Sequence, residues 1–390
     1  MSFSQSSKRI LVIGREVGPI TQLLKERIPK VSVGAVDVLG NRETRFFADW
    51  KFSVEKQSPN VAIFRPKHRS LLELLYELTL VMLEDLEFDL LIPLTPFQTK
   101  PEYIKKLSRK VEVYAPNYYS LEKFSSAYSF LRSIQAIFPE TIPQKTTISD
   151  LSEKSSIRFP VIYVSIHKTH FFPSKESFPS IRTFNQPGFL FPYFQIYCAF
   201  FIGLQNCVRF LGLQMLSIPH DHTFFFDQLE RNALLPFSLP KGFTYQRIIT
   251  YLSTIISQLR VTGMITIYFG LYKDDIFPLS CNILPDENFD LWERRSLNTL
   301  INYFFSPEDE SYPHSSSHNF AFKLPIYSQR SIRIPFLPET LCVQRNLKGG
   351  ISHPDYPLCA ISGSASSSLE ANQILHEKKK ELLKIIPSKT

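Results

Sequence analysis

The first 115 residues alternate short apolar runs with segments of helical periodicity, and this alternation restricts the fold more than any other feature of the chain. Apolar runs occur at 10–14, 31–38, 90–93 and 111–115, and helical segments occur at 19–27, 70–84 and 102–109. Strands that alternate with helices form a parallel sheet whose faces are covered by the helices. The sequence therefore predicts an α/β domain over residues 1–116.

The pattern changes after a helix predicted at 121–137. A linker rich in proline and serine, PETIPQKTTISDLSEKSS, follows that helix and marks a boundary. Short β-rich segments lie beyond it at 160–166, 194–203, 208–218, 265–270 and 278–283, with one helix at 245–259. Many strands with few helices indicate an α+β region built on an antiparallel sheet. We assign this region to residues 117–305.

The remaining segment, 306–390, begins with a polar loop at 306–318 and ends in a helix. Ser367 and Glu370 have the spacing of a capping box, in which each side chain satisfies a backbone N–H of the first helical turn. Leu375 and Leu382 are among the apolar positions of this helix. We expect the segment to pack back on the core.

Composition narrows the range of functions. Only 13 of the 390 residues are glycine, whereas loops that wrap phosphates need glycine for positive φ and close backbone approach. The first turn, GREVG, resembles a dinucleotide-binding loop but lacks its third glycine, and Asp37 could bind a ribose or simply form a turn. The net charge of +8 is interspersed, apart from short runs such as Lys378–Lys380, so no nucleic-acid partner is expected.

Two further features bear on location. The five cysteines form no C-x-x-C pair and are odd in number, which favours reduced thiols and a cytoplasmic protein. The stretch from Phe189 to Val208 has no charge and is long enough to span a bilayer, but it contains a proline and three amides. Its alternation favours buried sheet, and we expect no membrane span.

RILVIG, VGAVDVLGN, FPVIYVS, LRVTGMITIYFGL and FPLSCNILP follow one another along the chain in this order. They resemble successive motifs of the ATP-grasp superfamily, in particular of its carboxylate–amine ligases related to biotin carboxylase. The tail HPDYPLCAISGSASSSLEA is similar to that of archaeal and methylotroph members. The resemblance implies a divergent member, with a Rossmann-like pre-ATP-grasp domain followed by a two-lobed ATP-grasp domain of mixed and antiparallel sheet.

The residues that depart from the family pattern fall on its ATP and Mg²⁺ site. By the resemblance, Val164 occupies the position of the lysine that reaches the ATP phosphates, and Tyr268 and Ser280 occupy the positions of two metal-binding carboxylates. Asn282 keeps a metal-ligand type, and Lys168 could replace the missing phosphate lysine if its loop folds back. At both of these positions a neutral side chain stands where the family has a carboxylate that binds a divalent cation.

Other side chains leave alternatives open. His220 and His222, or His167 and His170, could supply metal ligands, although no further ligand cluster supports either pair. Asp286 and Glu287 could supply a displaced carboxylate or could form a solvated turn. These alternatives identify no catalytic residue.

Three functional interpretations remain. The first is a catalytically degenerate ATP-grasp protein, a pseudoenzyme that acts by binding a protein partner, a second copy of itself or a retained ligand. The second is an active ligase that forms an amide through an acyl phosphate, using ATP and Mg²⁺ with relocated metal ligands. The third is another α/β protein whose resemblance is coincidental in its second half, with a membrane association. Fold alone does not separate the first two.

Overall fold

The structure of the chain is a computed structural model. The described residues are 8–38, 42–54, 70–140, 142–143, 145–146, 157–158, 160–165, 169–172, 187–192, 195–204, 207–216, 223–224, 233–234, 239–286, 289, 320–327, 332–343, 351–352 and 357–386. The chain divides into two compact units, one formed by Met1–Ala115 with Leu284–Thr390 and the other by Pro116–Ile283.

A five-stranded parallel sheet organises the first unit, in the order β3-β2-β1-β4-β5. Its strands are β1 (Arg9–Ile13), β2 (Ser32–Asp37), β3 (Trp50–Ser53), β4 (Leu90–Pro93) and β5 (Glu112–Val113). Residues Ile10 to Ile13 of the central strand are completely buried, as expected for a parallel sheet covered on both faces. The parallel arrangement predicted from the alternation is confirmed.

The helices around this sheet are α1 (Gly18–Arg27), α2 (Arg42–Phe47), α3 (Leu71–Asp85) and α4 (Pro101–Leu107), with a 3₁₀ turn at Thr95–Thr99. Local signals define their starts. Pro19 stands in the first turn of α1, and the Ser70 hydroxyl accepts the N–H of Glu73 at 3.2 Å to cap α3. The sequence pattern predicts neither α2 nor β3. Helix α2 is only one or two turns long and strand β3 is similarly short, so neither shows a clear periodic pattern.

The described residues of the C-terminal part of the first unit form two antiparallel strand pairs and one helix. The strands are β16 (Phe320–Tyr327), β17 (Ile332–Arg333), β18 (Ile351–Ser352) and β19 (Pro357–Ala365), paired as β16 with β19 and β17 with β18. Helix α8 (Ser368–Ile385) packs on β19 and β16. The Ser367 hydroxyl accepts the N–H of Glu370, and the Glu370 carboxylate accepts from the backbone N–H groups of Ser366 and Ser367, which confirms the predicted capping box. The loop predicted at 306–318 lies outside the described residues.

Two antiparallel five-stranded sheets form the second unit, which confirms the predicted antiparallel region. One has the order β12-β8-β7-β9-β6 and the other β13-β11-β10-β14-β15. Their strands are β6 (Lys145–Thr146), β7 (Val161–Ser165), β8 (Thr169–Phe172), β9 (Gly188–Pro192), β10 (Ile196–Gly203), β11 (Val208–Leu216), β12 (Thr223–Phe224), β13 (Ala233–Leu234), β14 (Gly263–Tyr272) and β15 (Asp275–Asn282).

Within the part of the second unit that the structure describes, the helices are α5 (Tyr118–Lys123), α6 (Ala127–Ile137) and α7 (Tyr245–Leu259). The prediction of a single helix at 121–137 is wrong. The helix is interrupted at Phe124–Ser126, and Ser126 starts a new helix because its hydroxyl accepts the N–H of Ser129 at 3.1 Å. Helix α7 agrees with its prediction at both ends, since Thr244 caps it and Arg260 ends it in the left-handed conformation.

The uncharged stretch at 189–208 contributes to β9 and β10, and all eight residues of β10 are buried. The predicted buried sheet is therefore confirmed for the part of this stretch that the structure describes. Among the described helices, none is long and apolar enough to cross a membrane.

Candidate functional site

A row of polar side chains lies on one face of the sheet that contains β10, β14 and β15. Tyr268 pairs with Ser280, and Thr266 pairs with Asn282, across the hairpin of β14 and β15. Because side chains alternate between the two faces of a strand, all four lie on the same face. This places three of the candidate residues, Tyr268, Ser280 and Asn282, together.

The polar row continues onto the neighbouring strands. Cys198 of β10 pairs with Tyr268 on one side and with Gln214 of β11 on the other, and the Cys198 Sγ lies 3.6 Å from the Gln214 Oε1. Sequence reasoning did not include Cys198 and Gln214 in the site. Only the strand order could reveal them, since Gln214 is distant in sequence from the β14–β15 hairpin.

Tyr268 lies in the middle of this row. The Asn282 Nδ2 donates a hydrogen bond to the Tyr268 hydroxyl at 3.0 Å. Tyr268 is completely buried, and Ser280 and Asn282 are each 6% exposed. A buried donor must be paired because an unmade hydrogen bond costs about 1–3 kcal/mol. The Asn282 amide is thus hydrogen-bonded to the Tyr268 phenol and is not turned toward a ligand.

No carboxylate takes part in this row, whose described members are Gln214, Cys198, Tyr268, Ser280, Thr266 and Asn282. On the opposite face Cys281 is also buried, and burial raises the pKa of its thiol far above the usual range, so the thiol stays neutral. A divalent cation held in a protein needs one or two carboxylates in addition to neutral oxygens. The side chains present do not fit Mg²⁺.

Val164 lies in the other sheet of the same unit. It is completely buried on β7, between Thr169 of β8 and Phe189 of β9. The Phe189 ring lies 5.5 Å from the ring of Tyr128. A lysine at position 164 would therefore place its stem among aromatic rings. Lys168, the proposed substitute for the phosphate lysine, lies outside the described residues.

The alternative metal ligands gain no support from the described part of the chain. His170 is buried and its ring stacks on that of Phe172 at 5.8 Å, which is a packing role. His167, His220, His222 and Glu287 lie outside the described residues. Asp286 is only 2% exposed and belongs to the first unit. Within the described residues, no group of three His, Cys, Asp or Glu side chains could hold a metal ion.

The first turn of the chain is packed rather than open. A Cβ built on Gly14 would lie 2.7 Å from the side chain of Leu94, so this glycine is needed for close packing against the loop after β4. Asp37, at the end of β2, accepts the Thr44 hydroxyl at 2.8 Å and is 1% exposed. This contact favours the structural interpretation of Asp37 over the binding of a ribose.

A surface cleft of about 790 Å³ in the second unit has no counterpart in the sequence predictions. It lies beside the start of α7, where Arg247 donates to the backbone carbonyl of Asp274 and stands over the Phe243 ring. Glu140 and Asp275 also contribute to its wall. The lining mixes three carboxylates with one arginine and several hydroxyls.

Comparison with solved structures identifies the fold. The chain aligns with pyruvate carboxylase from Rhizobium etli at a TM-score of 0.71 and 11% identity, over 96% of this chain and 37% of that one. Biotin carboxylase from Campylobacter jejuni, solved as a complex with beta-gamma-ATP, aligns at a TM-score of 0.69 and 12% identity. The alignment covers 98% of this chain and 92% of that one. L-amino acid ligase from Bacillus licheniformis aligns at a TM-score of 0.66 and 13% identity, over 97% of this chain and 98% of that one.

This chain has the ATP-grasp fold, a mixed α/β architecture with parallel and antiparallel sheets. The ATP-grasp fold predicted from the resemblance is confirmed, whereas the Rossmann-like character of the pre-ATP-grasp domain stays a prediction. No family model matches the sequence, and no curated protein matches it. The likeness is therefore one of fold at 11–13% identity, and the chain spans little more than a third of the pyruvate carboxylase. The similarity to archaeal and methylotroph members stays a prediction.

Proposed function

We propose that this chain is a catalytically degenerate ATP-grasp protein that acts by binding a partner or a retained ligand. The observation that carries the proposal is the buried hydrogen bond between Asn282 and Tyr268. By the resemblance, Tyr268 stands where the family has a metal-binding carboxylate, and Asn282 is the single position that keeps a metal-ligand type. Tyr268 thus replaces one metal ligand of the family, and its hydroxyl also holds the amide of Asn282, which would be another.

The chemistry of phosphoryl transfer explains why these changes matter. A protein contributes to such transfer mainly by positioning the phosphates and by neutralising charge that develops on their oxygens. Tyr268, Ser280 and Asn282 offer no negative charge to hold Mg²⁺, and Val164 offers no positive charge to the phosphates. Acyl phosphate formation loses both contributions together.

The proposal also takes residues 1–116 as the Rossmann-like pre-ATP-grasp domain and 117–305 as the lid and central domain. The change from a parallel sheet to two antiparallel sheets supports the first of these two boundaries. The segment 306–390 completes the fold. We place the protein in the cytoplasm because none of its five cysteines forms a disulfide, and four of them are buried.

Calorimetric titration with ATP and Mg²⁺ tests the proposal. We expect no binding in the low micromolar range, because the described polar row lacks carboxylates. A micromolar dissociation constant that depends on Mg²⁺ would instead support the active carboxylate–amine ligase with relocated ligands. That alternative is favoured by one comparison, the biotin carboxylase complex with nucleotide.

A restored variant gives the complementary test. Tyr268→Asp with Ser280→Glu introduces two carboxylates on one face beside Asn282, and Val164→Lys adds the phosphate contact. The triple variant should melt below the parent in buffer, because buried unpaired charges destabilise the folded state. Mg-ATP should recover part of the loss, about 2.7 kcal/mol at a hundredfold excess over the dissociation constant. The control is Tyr272→Asp, at an exposed position. This variant should melt like the parent in buffer and should gain no stability from Mg-ATP.

If the triple variant gains nothing from Mg-ATP while remaining folded, these positions do not form a nucleotide site. The assignment of residues 159–284 to the family's site would then be wrong, although the fold would stand. If the parent itself gains stability from Mg-ATP, the degenerate function is refuted. The two failures are therefore distinguishable in one pair of melting curves.

A further inference from the structure

The cleft beside the start of α7 holds opposite charges that do not pair with each other. Its wall carries one guanidinium and three carboxylates, all on exposed residues: Arg247, Glu140, Asp274 and Asp275. In the part of the chain that the structure describes, none of these carboxylates forms an ion pair with Arg247. A ligand that carries both kinds of charge can therefore contact both.

Neighbouring groups hold Arg247 in place and leave most of its donors unused. One Nη of Arg247 donates to the backbone carbonyl of Asp274, and the guanidinium stands 5.6 Å from the centre of the Phe243 ring. A guanidinium has five N–H donors, and this one makes no other hydrogen bond with the described residues. The first turn of α7 contains no acidic residue, so the positive end of the helix dipole is not compensated there. Both features favour a carboxylate as the group that meets Arg247.

The acidic side of the cleft is built on a turn that is costly for its sequence. Lys273 and Asp274 join β14 to β15, and Lys273 has a φ of 55°, a conformation that favours glycine. Residues in such conformations persist where the surrounding structure fixes them, and they are common at binding sites. A Cβ on Gly242 would lie 3.3 Å from the Asp274 Oδ1, so this glycine leaves room for the carboxylate. The turn thus places two adjacent carboxylates, Asp274 and Asp275, on the wall of the cleft.

We propose that this cleft binds a short basic peptide segment, which places a carboxylate on Arg247 and its ammonium groups on the three carboxylates of the wall. The lining carries more negative than positive groups, so a complementary ligand carries more ammonium groups than carboxylates. The cleft volume of about 790 Å³ lies within the roughly 300–1,000 Å³ of ligand-binding pockets. Its exposed and polar lining suits an extended polar segment.

Other occupants fit the cleft less well. An anionic ligand would meet three carboxylates for a single guanidinium. Within the described residues, no group of three His, Cys, Asp or Glu side chains could hold a metal ion. The chain as a whole carries a net charge of +8 and repels a cationic peptide on average, so binding of such a peptide has to come from a local acidic surface. No lining residue of the cleft belongs to the polar row, so the inference goes beyond the proposed function and does not depend on whether Mg-ATP binds.

Calorimetric titration of the full chain with a tetralysine peptide that has a free carboxyl terminus tests the inference. We expect a dissociation constant between about 10 μM and 1 mM that rises with salt, because salt screens exposed ion pairs. Glu140→Gln with Asp275→Asn should weaken binding at least about threefold, since two exposed ion pairs are lost. The control is Glu112→Gln with Glu122→Gln, which changes the net charge equally at exposed positions outside the cleft and should leave the affinity unchanged.

The contact between Arg247 and the peptide carboxylate has its own test. Tetralysine with an amidated terminus lacks that carboxylate, so it should bind the wild-type chain at least about twofold more weakly although its net charge is more positive. Arg247→Gln should lose this preference for the free acid, because the two partners of one contact do not act independently. Arg247→Lys, which keeps the positive charge, should retain the preference, and so should Arg132→Gln at an exposed position outside the cleft.

Four results would overturn the inference. They are the absence of saturable binding below about 1 mM, a control that weakens binding as much as the cleft variant, an amidated peptide that binds as tightly as the free acid, and free L-lysine that binds as tightly as the tetrapeptide. Lysine alone should bind at least about tenfold more weakly, because it makes fewer ion pairs. The proposed function is tested separately by the titration with Mg-ATP, so the two failures are distinguishable.

Discussion

Tyr268→Phe is the change that most directly tests the arrangement of the polar row. The substitution removes one oxygen and keeps the ring, so the packing of this completely buried side chain is preserved. The Asn282 Nδ2, which donates to that oxygen at 3.0 Å, loses its acceptor. Asn282 is 6% exposed, so water cannot easily replace the lost partner.

The expected cost follows from that burial. Leaving a buried donor without an acceptor costs about 1–3 kcal/mol, whereas surface substitutions away from such features stay within about 0.5 kcal/mol. For a unit the size of Pro116–Ile283, each kcal/mol lowers the Tm by roughly 2–4 °C. Differential scanning calorimetry is the assay, because it measures the Tm directly.

Tyr272→Phe is the matched control, since Tyr272 lies on the same strand but is 37% exposed. A double-mutant cycle with Asn282→Ala isolates the pair, and residues in direct hydrogen-bonded contact couple by about 0.5–3 kcal/mol. The reasoning would be refuted if Tyr268→Phe cost no more than Tyr272→Phe, or if the cycle gave no coupling. Either result would mean that the amide of Asn282 is not held by the phenol.

Two further predictions concern helix ends. Hydrogen bonds from Ser366 hold the pKa of the exposed Glu370 carboxyl below its usual range, so its contribution to stability is present above a pH of about 4.3 and is lost as the pH falls through the lowered value. Between pH 5 and pH 3 the Tm of the wild-type chain should therefore fall more than that of Glu370→Gln, and an equal fall would contradict this role. Arg260 ends α7 at a φ of 52°, so Arg260→Gly should stabilise the chain by about 0.5–1 kcal/mol, while Thr262→Gly on the neighbouring exposed position should destabilise it. Thermal melts of the two glycine variants measure the difference, and a lower Tm for Arg260→Gly would show that the left-handed residue is not strained.

The accuracy of the sequence predictions follows the range of the interactions involved. Helix α7 was predicted at both ends because its cap, Thr244, and its apolar period lie within the helix itself. Helix 121–137 was predicted as one element because its apolar period continues through the break, and only the competition of Ser126 for the N–H of Ser129 divides it. Strand β3 was missed because it is four residues long and is defined by pairing with β2.

The candidate site divides in the same way. The resemblance located Tyr268, Ser280 and Asn282 by motif order, and the hairpin of β14 and β15 brings them to one face because they are close in sequence. Cys198 and Gln214 join them only through the pairing of three strands. Val164 lies in the other sheet, and the positions of Lys168 and Glu287 stay predictions because these residues are outside the described ranges.

The sequence by itself determined the alternation of strand and helix, the cap of the last helix and the chemical identity of the substituted positions. These depend on periodicity and on contacts within about four residues. Only the tertiary structure decided that the Tyr268 hydroxyl accepts the Asn282 amide and that Gly14 is needed for packing against Leu94. Such features depend on strand register and on which side chains the packed core covers, and a local pattern does not encode either one.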